Sequence, residues 1–169
     1  IGPLDHGAQL ARGCRGRVVI DSRRVQPGDL FWALPGRHAD GANFAADAFA
    51  RGAMGVVTHN PSVRPASGRF VLQVDNAVTA LWRLAAWRRS QFKGSVGKPT
   101  TRQIIDCVLA GRLKGTSSPS NYNNHLGVPL SLLRVEPDHD YAVIELGASA
   151  PGEISALAEL CRPDVGVMC

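Results

Sequence analysis

The sequence predicts an α/β protein in two parts: a small mixed α/β module over residues 1–75, followed over 76–169 by part of a parallel α/β domain of the P-loop type. Three observations carry that expectation. Apolar runs of strand length alternate with segments of helical period, the order that builds strand-helix-strand units. The glycine-rich stretch GSVGKPTT (94–101) stands before a helical segment, and the apolar run YAVIEL (141–146) carries a single carboxylate, Glu145, near its end.

In the first part, residues 17–20 and 29–34 read as short strands joined through the turn Gln26-Pro27-Gly28-Asp29. A polar loop over 35–41 follows, then a helix over 43–51 with Phe44, Ala45, Ala48 and Phe49 on one face and Gly52 as its stop. Residues 54–58 and 70–74 are two further strands. A helix from Asp75 places Val78, Leu81, Trp82, Ala85 and Ala86 on one apolar stripe. The segment from Thr100 to about Leu113 is the next helix, with Ile104, Ile105, Val108 and Leu109 turned inward. Residues 115–125 read as a loop rich in Ser and Asn, which favour turns. Residues 141–146 are a buried strand, Pro151-Gly152-Glu153-Ile154 opens a helix to about Leu160, and 165–168 is a last strand.

Composition narrows the function classes. With 44% apolar and 20% charged residues the chain has the makings of a globular core. No run approaches the roughly 18 apolar residues of a membrane span, so membrane insertion is not expected and the cytoplasm is. Ile1 at one end and Cys169 within an apolar run at the other suggest a piece of a longer chain. Cys14, Cys107, Cys161 and Cys169 have neither C-x-x-C nor His-paired spacing, which leaves zinc and disulfide readings without support. The net charge of +5 is spread along the chain, with short pairs at Arg23-Arg24 and Arg88-Arg89 and no basic stripe. That distribution suits a small anionic ligand better than nucleic acid, and a monomer is expected.

The chemistry-bearing residues concentrate in the second part. Glycines let backbone N–H groups approach phosphate oxygens, Lys98 adds a point charge, and a following helix N-terminus favours the anion. Two supports of such a loop are absent. Position 99 is Pro99, without a hydroxyl, and the run Arg88-Arg89-Ser90-Gln91-Phe92-Lys93 is too polar for a buried strand leading into it. A surface loop of Gly, Ser and Pro is the alternative reading. Glu145, at the carboxyl end of a strand, is placed as magnesium ligands often are.

Three runs then resemble the Mur ligases, ATP-dependent enzymes that extend the peptide stem of cell-wall precursors. DSRRVQPGDLFWALPGRHADGANF (21–44) is similar to their UDP-sugar-binding domain. NYNNHLGVPLSLL (121–133) and VIELGASAPGEI (143–154) look like the branch that adds D-alanyl-D-alanine to UDP-N-acetylmuramoyl-tripeptide. The branch that adds the third stem residue shares the first run but lacks the Asn-Asn-x-x-Gly-Val-Pro pattern, and it stands second. The resemblance implies ATP and Mg2+ as cofactors, UDP-N-acetylmuramoyl-tripeptide and D-alanyl-D-alanine as partners, and an acyl-phosphate intermediate attacked by the dipeptide amine. It implies that Ser22, Arg23, Arg37, Asp40 and Gly41 meet the UDP-sugar. Gly94, Ser95, Gly97, Lys98, Thr100, Thr101, Asn123 and Asn124 would line the ATP site, with Lys98 and Glu145 catalytic and Glu145 holding magnesium. The chain departs from the family pattern at Pro99, where a threonine is expected, at His125, where an acid is common, and at Ala150, where a histidine is common. A UDP-sugar-binding module that has lost ATP chemistry is the other reading of the same residues.

Overall fold

Four parallel strands, β1 (Val18–Val19), β2 (Leu30–Trp32), β3 (Gly55–Thr58) and β4 (Phe70–Gln73), lie side by side in chain order. The computed structural model describes residues 16–36, 38–92, 95–97 and 101–167, and divides into two units between Ala80 and Leu81. The first unit is built on these strands. β2 and β3 are buried at every position, as parallel strands flanked by other elements on both faces must be, and their runs LFW and GVVT are correspondingly apolar. Asp29 ties β1 to the turn before β2. Its buried carboxylate accepts from Arg17 N at 3.0 Å, Arg17 Nη2 at 2.9 Å and Gln26 N at 3.0 Å.

The expected helix over 43–51 begins as a 3₁₀ turn, Gly41–Phe44, and continues as α1 (Ala45–Ala50). Asp40 caps the turn, accepting from Ala42 N at 2.9 Å. Ala45 and Ala48 pack with Val25, Phe31 and Val56 in the core of this unit, whereas Phe44 is exposed rather than inward because the tighter turn rotates it off the buried face. Helix α2 (Ala77–Gln91) follows, with Ala77, Leu81 and Ala85 buried at i, i+4 and i+8 and Ala86, expected inside, exposed. The Trp32 indole N–H donates to Ala77 O at 2.8 Å, which anchors the start of α2.

The second unit holds a parallel sheet of order β5-β7-β6, with β5 at Ser95–Gly97, β6 at Gly115–Ser117 and β7 at Tyr141–Val143. Three further helices complete it: α3 (Thr101–Ala110), α4 (Gly127–Leu132) and α5 (Glu153–Cys161). Its core gathers Ala85 and Phe92 with Val128, Leu132, Ile144, Leu157 and Leu160.

Several expectations change here. Residues 95–97, read as part of a phosphate loop, are strand β5, paired with β7 from Ser95 against Tyr141 to Gly97 against Val143. The polar run before them is helix to Gln91, held there by Arg89, whose guanidinium donates to Cys161 O at 2.6 Å and Arg162 O at 2.7 Å at the end of α5. With that run helical, the extended residues after it satisfy the open side of β7. Residues 115–117, read as loop, pair on the other side of β7, where Gly115 lies under the Tyr141 ring so closely that a Cβ there would come within 2.4 Å. Ile104 and Val108, expected inside, are 66% and 70% exposed. No strand forms over 165–167, and 168–169 lie outside the described residues.

Candidate functional site

The loops after β1, β2 and β3 leave the same edge of the first sheet, the carboxyl edge at which open parallel sheets bind ligands. After β1 come Asp21, Ser22 and Arg23. Ser22 is buried at 6% exposure. Arg23 projects into solvent but is held by Asp21, its Nε 2.9 Å from Oδ1 and its Nη2 2.8 Å from Oδ2. The hydrogen bonds from Arg23, outweighing partial burial, hold the Asp21 carboxyl below its ordinary range. After β2 the chain closes on itself through a bridge between Pro35 and Asp40. Gly41 N donates to Leu34 O at 2.9 Å, and a Cβ on Gly41 would sit 2.6 Å from that oxygen, so the corner admits only glycine. Arg37 lies outside the described residues. After β3 comes His59, whose Nε2 is 3.2 Å from Asp40 Oδ2. Sequence reasoning missed His59, although a polar residue directly after an apolar strand run was a signal of the same kind as Glu145.

A cleft of about 620 Å³ in this unit adjoins these loops at Ala42 and Asn60 and is lined further by Phe49, Val63 and Arg64 among others. Of the expected UDP-sugar contacts, the described ones, Ser22, Arg23, Asp40 and Gly41, do not line it.

In the second unit, Glu145 follows β7 and three elements reach it. Asn123 Nδ2 donates to Glu145 Oε1 at 3.1 Å, and Arg102 Nε, in the first turn of α3, lies 3.7 Å from Oε2. Ser118 Oγ accepts from Glu145 N at 2.7 Å, and Arg102 Nη1 donates to Ser118 O. Gly147 leaves room for this arrangement, since a Cβ on it would come within 2.9 Å of the Asn123 amide. Asn124 is turned differently, its Oδ1 accepting from Leu126 N at 3.1 Å and Gly127 N at 2.9 Å to start α4. Of the expected ATP-site residues, Ser95 and Gly97 are in β5 and Thr101 opens α3; Gly94, Lys98 and Thr100 lie outside the described residues. Arg102 was not singled out in the sequence, because an arginine inside an amphipathic helix reads as solvated surface.

Helix α3 is fixed to the sheet by one carboxylate. Asp106 Oδ1 accepts from the Tyr141 hydroxyl at 2.8 Å and Oδ2 from Ser117 Oγ at 2.9 Å. Burial, with the Asp106 hydrogen bond and charge added, pushes the Tyr141 phenol up to about 12.

Two parallel α/β units with loops at strand ends, one bearing a carboxylate opposite the first turn of a helix, define a class that the family comparison makes specific. The model described as "Mur ligase family, catalytic domain" matches residues 17–89 and that of the "Mur ligase middle domain" matches 93–169, and the chain belongs to the Mur ligase family. Within it, the chain is 37% identical over 160 residues to the UDP-N-acetylmuramoyl-tripeptide–D-alanyl-D-alanine ligase of Synechocystis sp., covering 89% of this chain and 35% of that protein. It is 35% identical over 158 residues to the enzyme of that name from Bacillus subtilis, covering 89% and 35%. The crystal structure of MurF from Acinetobacter baumannii superposes with a TM-score of 0.79 at 30% identity, covering 95% of this chain and 39% of that one. MurF from Thermotoga maritima in complex with ADP gives 0.75 at 27%, covering 97% and 37%. The chain thus spans about a third of the length of these relatives.

Mur ligases work with ATP and magnesium, and the residues around Glu145 can be tested for that pair. A phosphate cradle needs consecutive backbone N–H groups turned toward the ligand, yet the described residues of that stretch, 95–97, sit in a sheet ladder. Glu145 already faces a guanidinium on one oxygen and an amide on the other. Among the described residues, the one trio of metal-ligating side chains is Glu136, Asp138 and His139, before the start of β7 rather than after its end. Among the described residues, the donor set around Glu145 does not fit a magnesium-nucleotide centre.

Proposed function

We propose that this chain is the sugar-nucleotide-binding part, with the adjoining portion of the middle domain, of a ligase that joins D-alanyl-D-alanine to UDP-N-acetylmuramoyl-tripeptide. The observation that carries the proposal is the grouping of residues 21–24, 38–41 and 58–60 at one carboxyl edge of a parallel sheet, in a segment matched to the Mur ligase family. Arg23 offers a fork of donors suited to a diphosphate, in exchange for its present pairing with Asp21. Asp40, oriented by the capped turn and by His59, offers an acceptor for sugar or base N–H and O–H groups. Gly41 lets the backbone corner approach the ligand.

The ATP step of the reaction is not assigned to these residues. A binding role alone is favoured for this stretch of chain by one observation, the entry of residues 95–97 into the sheet. The test is calorimetric titration of the chain with UDP-N-acetylmuramoyl-tripeptide, with UDP and the free tripeptide as partial ligands. Binding of the whole ligand and of UDP supports the proposal; no heat with either refutes it.

A further inference from the structure

We propose that Arg102 is the resident positive partner of Glu145 in this chain, standing where the family's magnesium would act, so that the corner between β7 and α3 is held without a divalent cation. Three features of the geometry lead there. The pair is enclosed, with 12% and 26% side-chain exposure for Arg102 and Glu145, so its attraction is screened less than that of a surface pair. Arg102 is itself located by a second contact, from Nη1 to Ser118 O, and Ser118 Oγ in turn receives the Glu145 backbone N–H. The ring so formed links the first turn of α3, the residue after β6 and the second residue after β7 by contacts that need no metal. Among the described residues, Arg102 Nε is also buried with no hydrogen-bond partner, close enough to Glu145 Oε2 for charge attraction but too far for a direct bond.

A cation arriving at Oε2 would meet the fixed guanidinium charge, and magnesium, which gives up its waters reluctantly, would find a carboxylate whose charge is already compensated.

Manganese(II), which takes the same oxygen ligands as magnesium and is read by water-proton relaxation, is the probe. The chain and its R102M, E145Q and R102M/E145Q variants are titrated with Mn2+ at fixed ionic strength. The expected result is no Glu145-dependent binding in the unaltered chain, and binding in R102M tighter by at least about tenfold that the added E145Q removes. Dependence on Glu145 separates this site from the exposed trio Glu136, Asp138 and His139. Mn2+ binding by the unaltered chain that E145Q abolishes would overturn the proposal, and so would a folded R102M that gains nothing.

If R102M does not fold, E145Q alone decides by thermal melting. The proposal expects E145Q to lower the melting temperature equally with and without Mn2+. A metal role instead expects Mn2+ to raise the melting temperature of the unaltered chain and E145Q to lose that rise. Sugar-nucleotide binding by the first unit is a separate claim, and titration with UDP-N-acetylmuramoyl-tripeptide is expected to give the same affinity for E145Q as for the unaltered chain.

Discussion

Replacing Asp106 by alanine removes the acceptor for two hydroxyls at once, the Tyr141 phenol at 2.8 Å and Ser117 Oγ at 2.9 Å. Hydrogen bonds to a charged partner contribute about 1.5–3 kcal/mol each, and a buried hydroxyl left alone costs about 1–3 kcal/mol. Because the two share one carboxylate, their losses do not simply add, and a total of about 2–4 kcal/mol is expected for Asp106→Ala. Urea unfolding followed by circular dichroism measures it. Asp106→Asn, which keeps one oxygen acceptor, should fall between. The double-mutant cycle with Tyr141→Phe should give a coupling of about 1–2 kcal/mol. The same pair sets an alkaline limit. The folded Tyr141 phenol titrates near 12 against an ordinary value of about 10, so its contribution is whole below pH 10 and is lost as pH rises toward 12. Asp106→Ala should bring the phenol back toward its ordinary range in an ultraviolet titration. A stability change within about 0.5 kcal/mol together with an unmoved phenol titration would falsify the clamp.

Two other outcomes are expected. Asp29 titrates below its ordinary range: burial alone would raise it, but the Arg17 side chain and the Gln26 and Arg17 backbone N–H groups prevail. Its stabilisation is therefore present above about pH 4 and lost as pH falls through the folded value, and Asp29→Asn should flatten the acid limb of the melting-temperature profile. The chain as it stands should release no phosphate from ATP, and neither Pro99→Thr nor an apolar strand inserted between Phe92 and Gly94 should restore release without the rest of a full-length relative. Magnesium-dependent turnover by the unaltered chain contradicts this.

The strands β2, β3, β4 and β7 and the helix α2 were legible because their burial is written as apolar runs or a helical stripe. β5 and β6 were not, since Ser95–Gly97 and Gly115–Ser117 contain one apolar side chain between them and become strands through the open edges of β7. The facing of α3 was misread for a related reason. Asp106 stands about 200° round the helix from both Ile104 and Val108, and hydrogen bonding of that one carboxylate to the sheet turns the two apolar residues outward. Glu145 and Asn123 were singled out in the sequence and are hydrogen-bonded to each other, while Arg102 and His59 were not singled out, because pairing across distant segments leaves no local pattern.

Hydrogen-deuterium exchange of the chain with and without UDP-N-acetylmuramoyl-tripeptide tests the sugar-nucleotide assignment at its location. The account predicts protection at residues 21–24, 38–41 and 58–60, reduced when Arg23 is replaced by alanine with the loss of a charge-assisted contact of about 1.5–3 kcal/mol. Protection confined to the cleft around Phe49, Val63 and Arg64, or none at all, would contradict it.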